Sequence, residues 1–209
     1  MATTRATRMS TDERREQLLN AGVELLAERG YEQVSIEEIA DAAGVSKGLL
    51  YHYFPTKKDF LLAALRRGDD ELQARLRPDP AIPPAEQFNV GLDAFLDDVE
   101  RHPRAYSAIF RRLAGGDFEV TALLEEGRKR RIEAIVAGIA GWEDSPLERT
   151  AELETAIQGW VFFAEGAALR WLEHGELERE QLRVMLQVAL AGAVAAATAA
   201  ADLRVGAVD

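Results

Sequence analysis

The stretch SIEEIADAAGVSKGLLYHYFPTKKDF, Ser35 to Phe60, carries three helix starts and two helix stops in twenty-six residues. Ser35 followed three places later by Glu38 is a capping-box pair, in which the hydroxyl takes a backbone N–H of the first turn and the carboxylate reaches back. Gly44 stops that helix, and Ser46 is the N-cap of the next one. Pro55 disfavours helix at Phe54, so the second helix ends there, and Thr56 caps a longer helix that begins at Lys57. Two short helices are therefore joined by a tight turn at Gly44-Val45.

The rest of the chain is helical too. Sustained period-2 alternation is missing, and no Asn-Gly or Asp-Gly stands between apolar runs. A first helix follows Ser10-Thr11-Asp12-Glu13 and sets Leu18, Ala21, Gly22, Leu25 and Leu26 on one side before Gly30 ends it. The helix after Ser35 buries Ile36, Ile39, Ala40 and Ala43. The helix from Lys57 runs to about Leu76 and stops before the proline-rich RPDPAIPP, read as a domain boundary. Further helices are predicted at 85–101, 104–114, 117–140, 147–173 and 177–203, punctuated by Pro103, Gly115-Gly116, GWEDSP and HGE. The expected fold is all-α: a basic arm (1–10), a three-helix helix-turn-helix domain (11–56), a connector helix (57–77) and a C-terminal helical domain (78–209).

With 209 residues, 47% of them hydrophobic, the chain can bury a sizeable core. The absence of cysteine excludes a disulfide framework and thiol chemistry. No apolar run follows the basic residues of MATTRATRMSTDERR, so no secretory signal is read there and a cytoplasmic protein is expected. The stretch VMLQVALAGAVAAATAAA at 184–201 is long enough to span a bilayer, yet alanine dominates it. It reads as a buried helix with neighbours on most sides, not as a membrane partner.

Charge is unevenly placed. The formal net charge is -11, but residues 1–68 hold ten Lys/Arg and ten Asp/Glu. All of the excess acid lies beyond residue 68.

The two short helices and their turn have the spacing of a helix-turn-helix, whose second helix enters the major groove of DNA. On the helix from Ser46 to Phe54, Leu50 and Phe54 share a face suited to packing against Ile36 and Ile39. Lys47, Gly48, Tyr51 and His52 share the other, which holds a cation, two hydrogen-bonding rings and no acid. Leu49 lies between the faces, placed for a thymine methyl. Tyr53 borders the buried side, where core packing is the competing reading. Ser35 and Thr56 put hydroxyls and backbone N–H groups at helix N-termini, where an anion is favoured. Lys57 is a cation in a first turn that would otherwise prefer an acid. Arg5 and Arg8 lie on an arm suited to a minor groove.

The run from Ser35 to Phe60 closely resembles the DNA-binding segment of the TetR (tetracycline-repressor) family of bacterial transcriptional regulators, and the likeness extends from Leu18 to Leu65. The resemblance implies DNA-facing roles for Ser46, Lys47, Gly48, Leu49, Tyr51, His52 and Tyr53, and phosphate contacts for Ser35 and Lys57. Leu49 stands where a hydroxyl-bearing residue is common in the family, and Glu37 where some members carry a basic residue that reads a base. The resemblance also implies a homodimer through the last two helices, a double-stranded DNA operator of pseudo-palindromic sequence, and a small-molecule effector of unknown identity that releases the repressor. No enzyme activity, cofactor or metal is implied.

In the C-terminal domain the polar residues Asn89, Tyr106, Gln158 and Glu165 interrupt apolar stretches. With Phe110, Trp160 and Phe163 they are the candidate effector lining, although each is equally placed for core or interface. The basic run Arg128-Lys129-Arg130-Arg131 follows Glu125 and Glu126 at helical spacing, so it reads as a salt-bridged solvated face, with anion binding as the alternative. His102 and His174 lie at helix ends and read as caps. Two other functions stay open on sequence: an architectural DNA-binding protein without effector, and a helical enzyme with a DNA-docking module.

Overall fold

A computed structural model of the chain describes residues 9–77, 79, 81–107, 117–140 and 148–205. Its helices are α1 (Thr11–Arg29), α2 (Ile36–Ala42), α3 (Lys47–Tyr53), α4 (Lys57–Arg75), α5 (Pro84–Arg101), α6 (Phe118–Ala140), α7 (Ala151–His174) and α8 (Arg179–Val205). A 3-10 turn at Tyr31–Gln33 precedes α2, and residues 103–107 form a helical turn after α5. There is no strand among the described residues. The chain divides into two compact units, one ending at Gly68 and the other beginning at Asp69, so the division falls inside α4.

In the first unit the caps fall where the sequence places them. Ser10 Oγ accepts the Glu13 N–H at 3.1 Å while Glu13 accepts the Ser10 N–H at 2.7 Å. The same reciprocal pair joins Ser35 and Glu38 at 3.2 and 2.7 Å. Gly44, with φ of +65°, makes the turn that a side-chain-bearing residue would strain, and the Val45 N–H donates back to the Ala40 carbonyl at 3.0 Å. Ser46 caps α3 by accepting the Leu49 N–H at 3.2 Å. The core of this unit is Leu18, Leu19, Val34, Ile39, Leu50, Phe54 and Phe60, with the Phe54 and Phe60 rings edge-on at 4.9 Å. Burying side chains such as Leu50 and Phe54 is worth roughly 1.5–3 kcal/mol each. That burial fixes the rotation of α3 about its axis and hence which of its residues face outward.

In the second unit α7 and α8 are joined by a short connection and share a core with α5 and α6 that includes Leu92, Leu96, Val136, Ile157, Leu182 and Leu186. The Trp160 indole N–H donates to the Leu186 carbonyl at 2.9 Å, which satisfies the polar end of a buried ring. α7 begins at Ala151, later than expected, because the Thr150 hydroxyl caps it by accepting the Leu153 N–H. The end of the helix expected at 104–114 lies outside the described residues. His102 closes α5, and His174 is the last residue of α7.

One expectation is corrected. α8 is not covered on most sides: Leu182, Leu186, Leu190 and Ala197 are buried, but Val184, Met185, Val188, Ala191, Gly192 and Ala195 are exposed in the single chain. By length and composition, Arg179–Leu203 is apolar enough to cross a membrane.

Candidate nucleic-acid interface

The face of α3 opposite Leu50 carries the expected residues. Ser46, Lys47, Gly48, Tyr51 and His52 are exposed, with Tyr51 at 41%. Leu49 and Tyr53 are half-buried, and Tyr53 packs against the core of the unit with its ring edge-on to His52 at 5.4 Å. Core packing thus accounts for part of the Tyr53 surface. Beside α3 an open cleft of about 600 Å³ is lined by Ser35, Glu37, Tyr51, Thr56 and Lys57, among others. Lys57 is half-buried, its ammonium 4.2 Å above the centre of the Tyr31 ring, a cation–π contact that holds the charge at the cleft. The arm with Arg5 and Arg8 lies outside the described residues.

The two helix N-termini differ from expectation in one respect. Their hydroxyls are already engaged: Ser35 Oγ donates to Glu38 at 2.8 Å, and Thr56 Oγ1 donates to Asp59 at 2.7 Å while accepting the Asp59 N–H at 3.0 Å. Glu38 and Asp59 thus place a carboxylate in the first turn of each helix.

Sequence reasoning gave Glu37 no contacts at this surface. Its carboxylate lies 3.5 Å from the Lys47 ammonium and accepts a long 3.5 Å hydrogen bond from the Tyr51 hydroxyl. A hydrogen bond from its own backbone N–H, and then the Lys47 charge, hold this carboxyl below the usual range. The outward surface of α3 is consequently not acid-free, because α2 adds a carboxylate that α3 lacks.

Glu38 gives the unit a pH signature. The Ser35 backbone N–H, followed by Arg29 at 2.6 Å and the Ser35 hydroxyl, holds its carboxyl at about 2. A folded-state value depressed below the unfolded one contributes stability that is complete above the unfolded value, ~4.3, and is lost as pH falls toward 2. Glu38→Gln should lower the melting temperature at neutral pH and flatten its decline on acidification. An acid profile identical to wild type would show that the charge of the Glu38 carboxylate contributes nothing to stability, since glutamine can still complete the capping box.

The effector candidates fall in different surroundings. Trp160 is in the core, and the half-buried Asn89 accepts the Gln187 amide at 2.6 Å. Gln158 and Phe163 are on the exposed side of α7, Phe163 at 43%, and Phe110 lies outside the described residues. Glu165 is buried, and the basic run serves it. Arg128 donates to Glu165 through Nε and Nη2, at 3.1 and 2.8 Å to Oε2, and Arg131 donates to Oε1 at 3.3 Å. Arg131 also donates to Asp69 at 2.9 Å, Arg130 pairs with the same carboxylate, and Gly127 leaves room for it, since a Cβ there would lie 2.5 Å from Asp69 Oδ1. Two members of the basic run thus turn inward. Among the described residues, the Arg130–Glu126 pair at 3.2 Å follows the helical spacing read from sequence. The Tyr106 hydroxyl donates to the Glu165 backbone carbonyl at 3.3 Å, and burial, then the Glu165 charge, push this phenol above its ordinary value. Tyr106 is therefore an un-ionised donor at neutral pH.

A tight turn between two short helices, the second with one core face and one cationic and aromatic outward face, defines a helix-turn-helix DNA-binding protein. Residues 18–64 match the family described as bacterial regulatory proteins, tetR family, and residues 84–193 match the tetracyclin repressor-like C-terminal domain. The chain belongs to the TetR family, whose members are DNA-binding transcriptional regulators and not enzymes. It is 32% identical to the transcriptional activator FasR of Mycolicibacterium smegmatis over 81% of this chain and 77% of that one. It is 31% identical to the transcriptional repressor KstR of Rhodococcus jostii over 54% of each. A solved TetR-family regulator from Streptomyces coelicolor superposes with a TM-score of 0.81 at 33% identity, over 95% of this chain and 87% of the other.

Proposed function

We propose that this protein is a dimeric repressor in the cytoplasm, released from a pseudo-palindromic operator by a small-molecule effector. The observation that carries the reading is the outward face of α3, where Lys47, Tyr51 and His52 project from a helix anchored by Leu50 and Phe54. Two such helices related by a two-fold axis fit half-sites about 34–36 Å apart. Tyr51 and His52 face base edges, while Lys57 and Lys47 supply phosphate contacts.

The effector reading is supported by Tyr106, Glu165 and Asn89, polar groups among apolar helices of the second unit. Its mechanism runs through α4. Asp69, in that helix, is held by Arg130 and Arg131, and Arg131 is held in turn by Glu165. α4 continues without a break back to Lys57, so an effector that re-pairs Glu165 or Tyr106 displaces the helix at whose start the interface begins. Such an effector must bind the DNA-incompetent form better, and operator DNA weakens its binding by the same factor.

The test is protection mapping of the purified protein on the DNA that flanks its own gene, with Tyr51→Ala and Lys57→Ala beside it. Tyr51→Ala should cost about 1–3 kcal/mol of operator affinity. Lys57→Ala should weaken binding to all sequences and reduce the salt dependence by about one phosphate contact. Unchanged affinity in both variants would remove the assignment of this face. The likeness to FasR, named as an activator, favours activation as the second reading. A reporter behind the mapped site separates the two: deleting the regulator raises expression under repression and lowers it under activation.

A further inference from the structure

Glu37 has no place in a surface built only to attract DNA. It stands on α2, half-exposed, at the edge of the cleft that Tyr51 and Lys57 also line. Its carboxylate contacts the two α3 side chains with most to offer a duplex, Lys47 at 3.5 Å and Tyr51 at 3.5 Å. The Lys47 side chain is 61% exposed and Glu37 38%, so no packing forces them together. Exposed pairs of this kind contribute little to stability, which leaves the contact free to serve binding.

The consequences follow from charge. A carboxylate beside Lys47 offsets the cation that would otherwise neutralise one phosphate, and each phosphate contact adds about 0.9 to the salt dependence of binding. Non-specific affinity, which is nearly all phosphate attraction, falls as a result. A carboxylate at a major-groove surface also needs a donor once Lys47 and Tyr51 turn to the DNA. The base edge that suits a carboxylate is the N4 amine of cytosine, because adenine sets its N6 donor beside the N7 acceptor, and guanine N7 and O6 and thymine O4 are acceptors that repel it. Glu37 therefore penalises the wrong duplex twice, at the backbone and at the base.

We propose that Glu37 is a specificity-determining residue, which restrains Lys47 and Tyr51 from phosphate-only contact and accepts a cytosine amine on the cognate operator. The inference rests on α3 being the helix that reads DNA.

The experiment selects duplexes from a random-sequence library with the full-length wild type and with Glu37→Gln, then measures each protein's affinity for the wild-type-selected duplex and for the unselected pool across a salt series. Glu37→Gln keeps the size and the hydrogen-bonding reach of the side chain and removes its charge. The variant should bind the unselected pool about tenfold more tightly with a steeper salt dependence, and should lose the cytosine preference at one position of each half-site. The ratio of selected to unselected affinity should fall by about tenfold or more. In a Lys47→Gln background the gain on the unselected pool should disappear, because it acts through that lysine. An unchanged ratio with the same selected motif overturns the proposal. Failure of the underlying reading looks different, since the wild type then enriches no motif at all.

Discussion

Glu165→Ala should cost the second unit about 3–5 kcal/mol of unfolding free energy, the range for removing one partner of a buried ion pair. The side chains of Arg128 and Glu165 are only 11% and 10% exposed, and Arg131 reaches the same carboxylate. Deleting it leaves the Arg128 and Arg131 guanidinium groups without their shared carboxylate in a site that little water enters, and Asp69 pairs with Arg131 but not with Arg128. Phe162, whose ring lies 4.5 Å below the Arg128 guanidinium, offers a weaker substitute. Urea unfolding monitored by circular dichroism gives the value directly. The double replacement Arg128→Met with Glu165→Met should recover most of the loss, because a well-packed apolar pair avoids the desolvation that the ion pair pays. If Glu165→Ala unfolds at the wild-type midpoint, the network does not hold the unit together, and the route proposed from effector to Asp69 loses its middle member.

What was legible in the sequence, and what was not, divides by sequence separation. The two faces of α3 follow from a 3.6-residue period, a serine cap and a proline stop, all within ten residues, and Leu50 and Phe54 are buried as that pattern requires. The capping boxes are equally local. The engagement of the Ser35 and Thr56 hydroxyls is local as well, because the acids three residues on, Glu38 and Asp59, accept from them. Arg128 and Arg131 were assigned to a solvated face because only partners one helical turn away can be read along a chain. Their actual partners are 37 and 62 residues distant. Glu37 meets Lys47 across the turn at Gly44, so its contact depends on the angle between α2 and α3, which no local pattern states. The exposed side of α8 was hidden differently: an alanine-rich run announces that something packs against it but not whether that neighbour belongs to the same chain.

That neighbour is addressed by Val188→Glu, which should turn a dimer into a monomer and lower operator affinity by about 10²–10⁴. Val188 is 66% exposed in the single chain, with Val184 at 45% and Met185 at 43% beside it. On α7, Phe162 at 49% and Phe163 at 43% flank Gly159 and Gly166, all on the exposed side. The small residues Ala191, Gly192 and Ala195 continue the α8 stripe at helical spacing and admit a close helix. We propose that a second copy related by a two-fold axis covers this surface with the same surface, since an isologous interface is self-complementary. A glutamate at 188 disturbs nothing inside one chain, so helicity and the fold of each unit persist. In the dimer it buries two carboxylates that no partner compensates. The loss of DNA affinity follows from geometry alone: each half-site contact is unchanged, but the second reading helix is no longer held near its half-site by the first. Sedimentation at micromolar concentration distinguishes the outcomes, and a Val188→Glu protein that remains dimeric would place the dimer contact elsewhere than on α7 and α8.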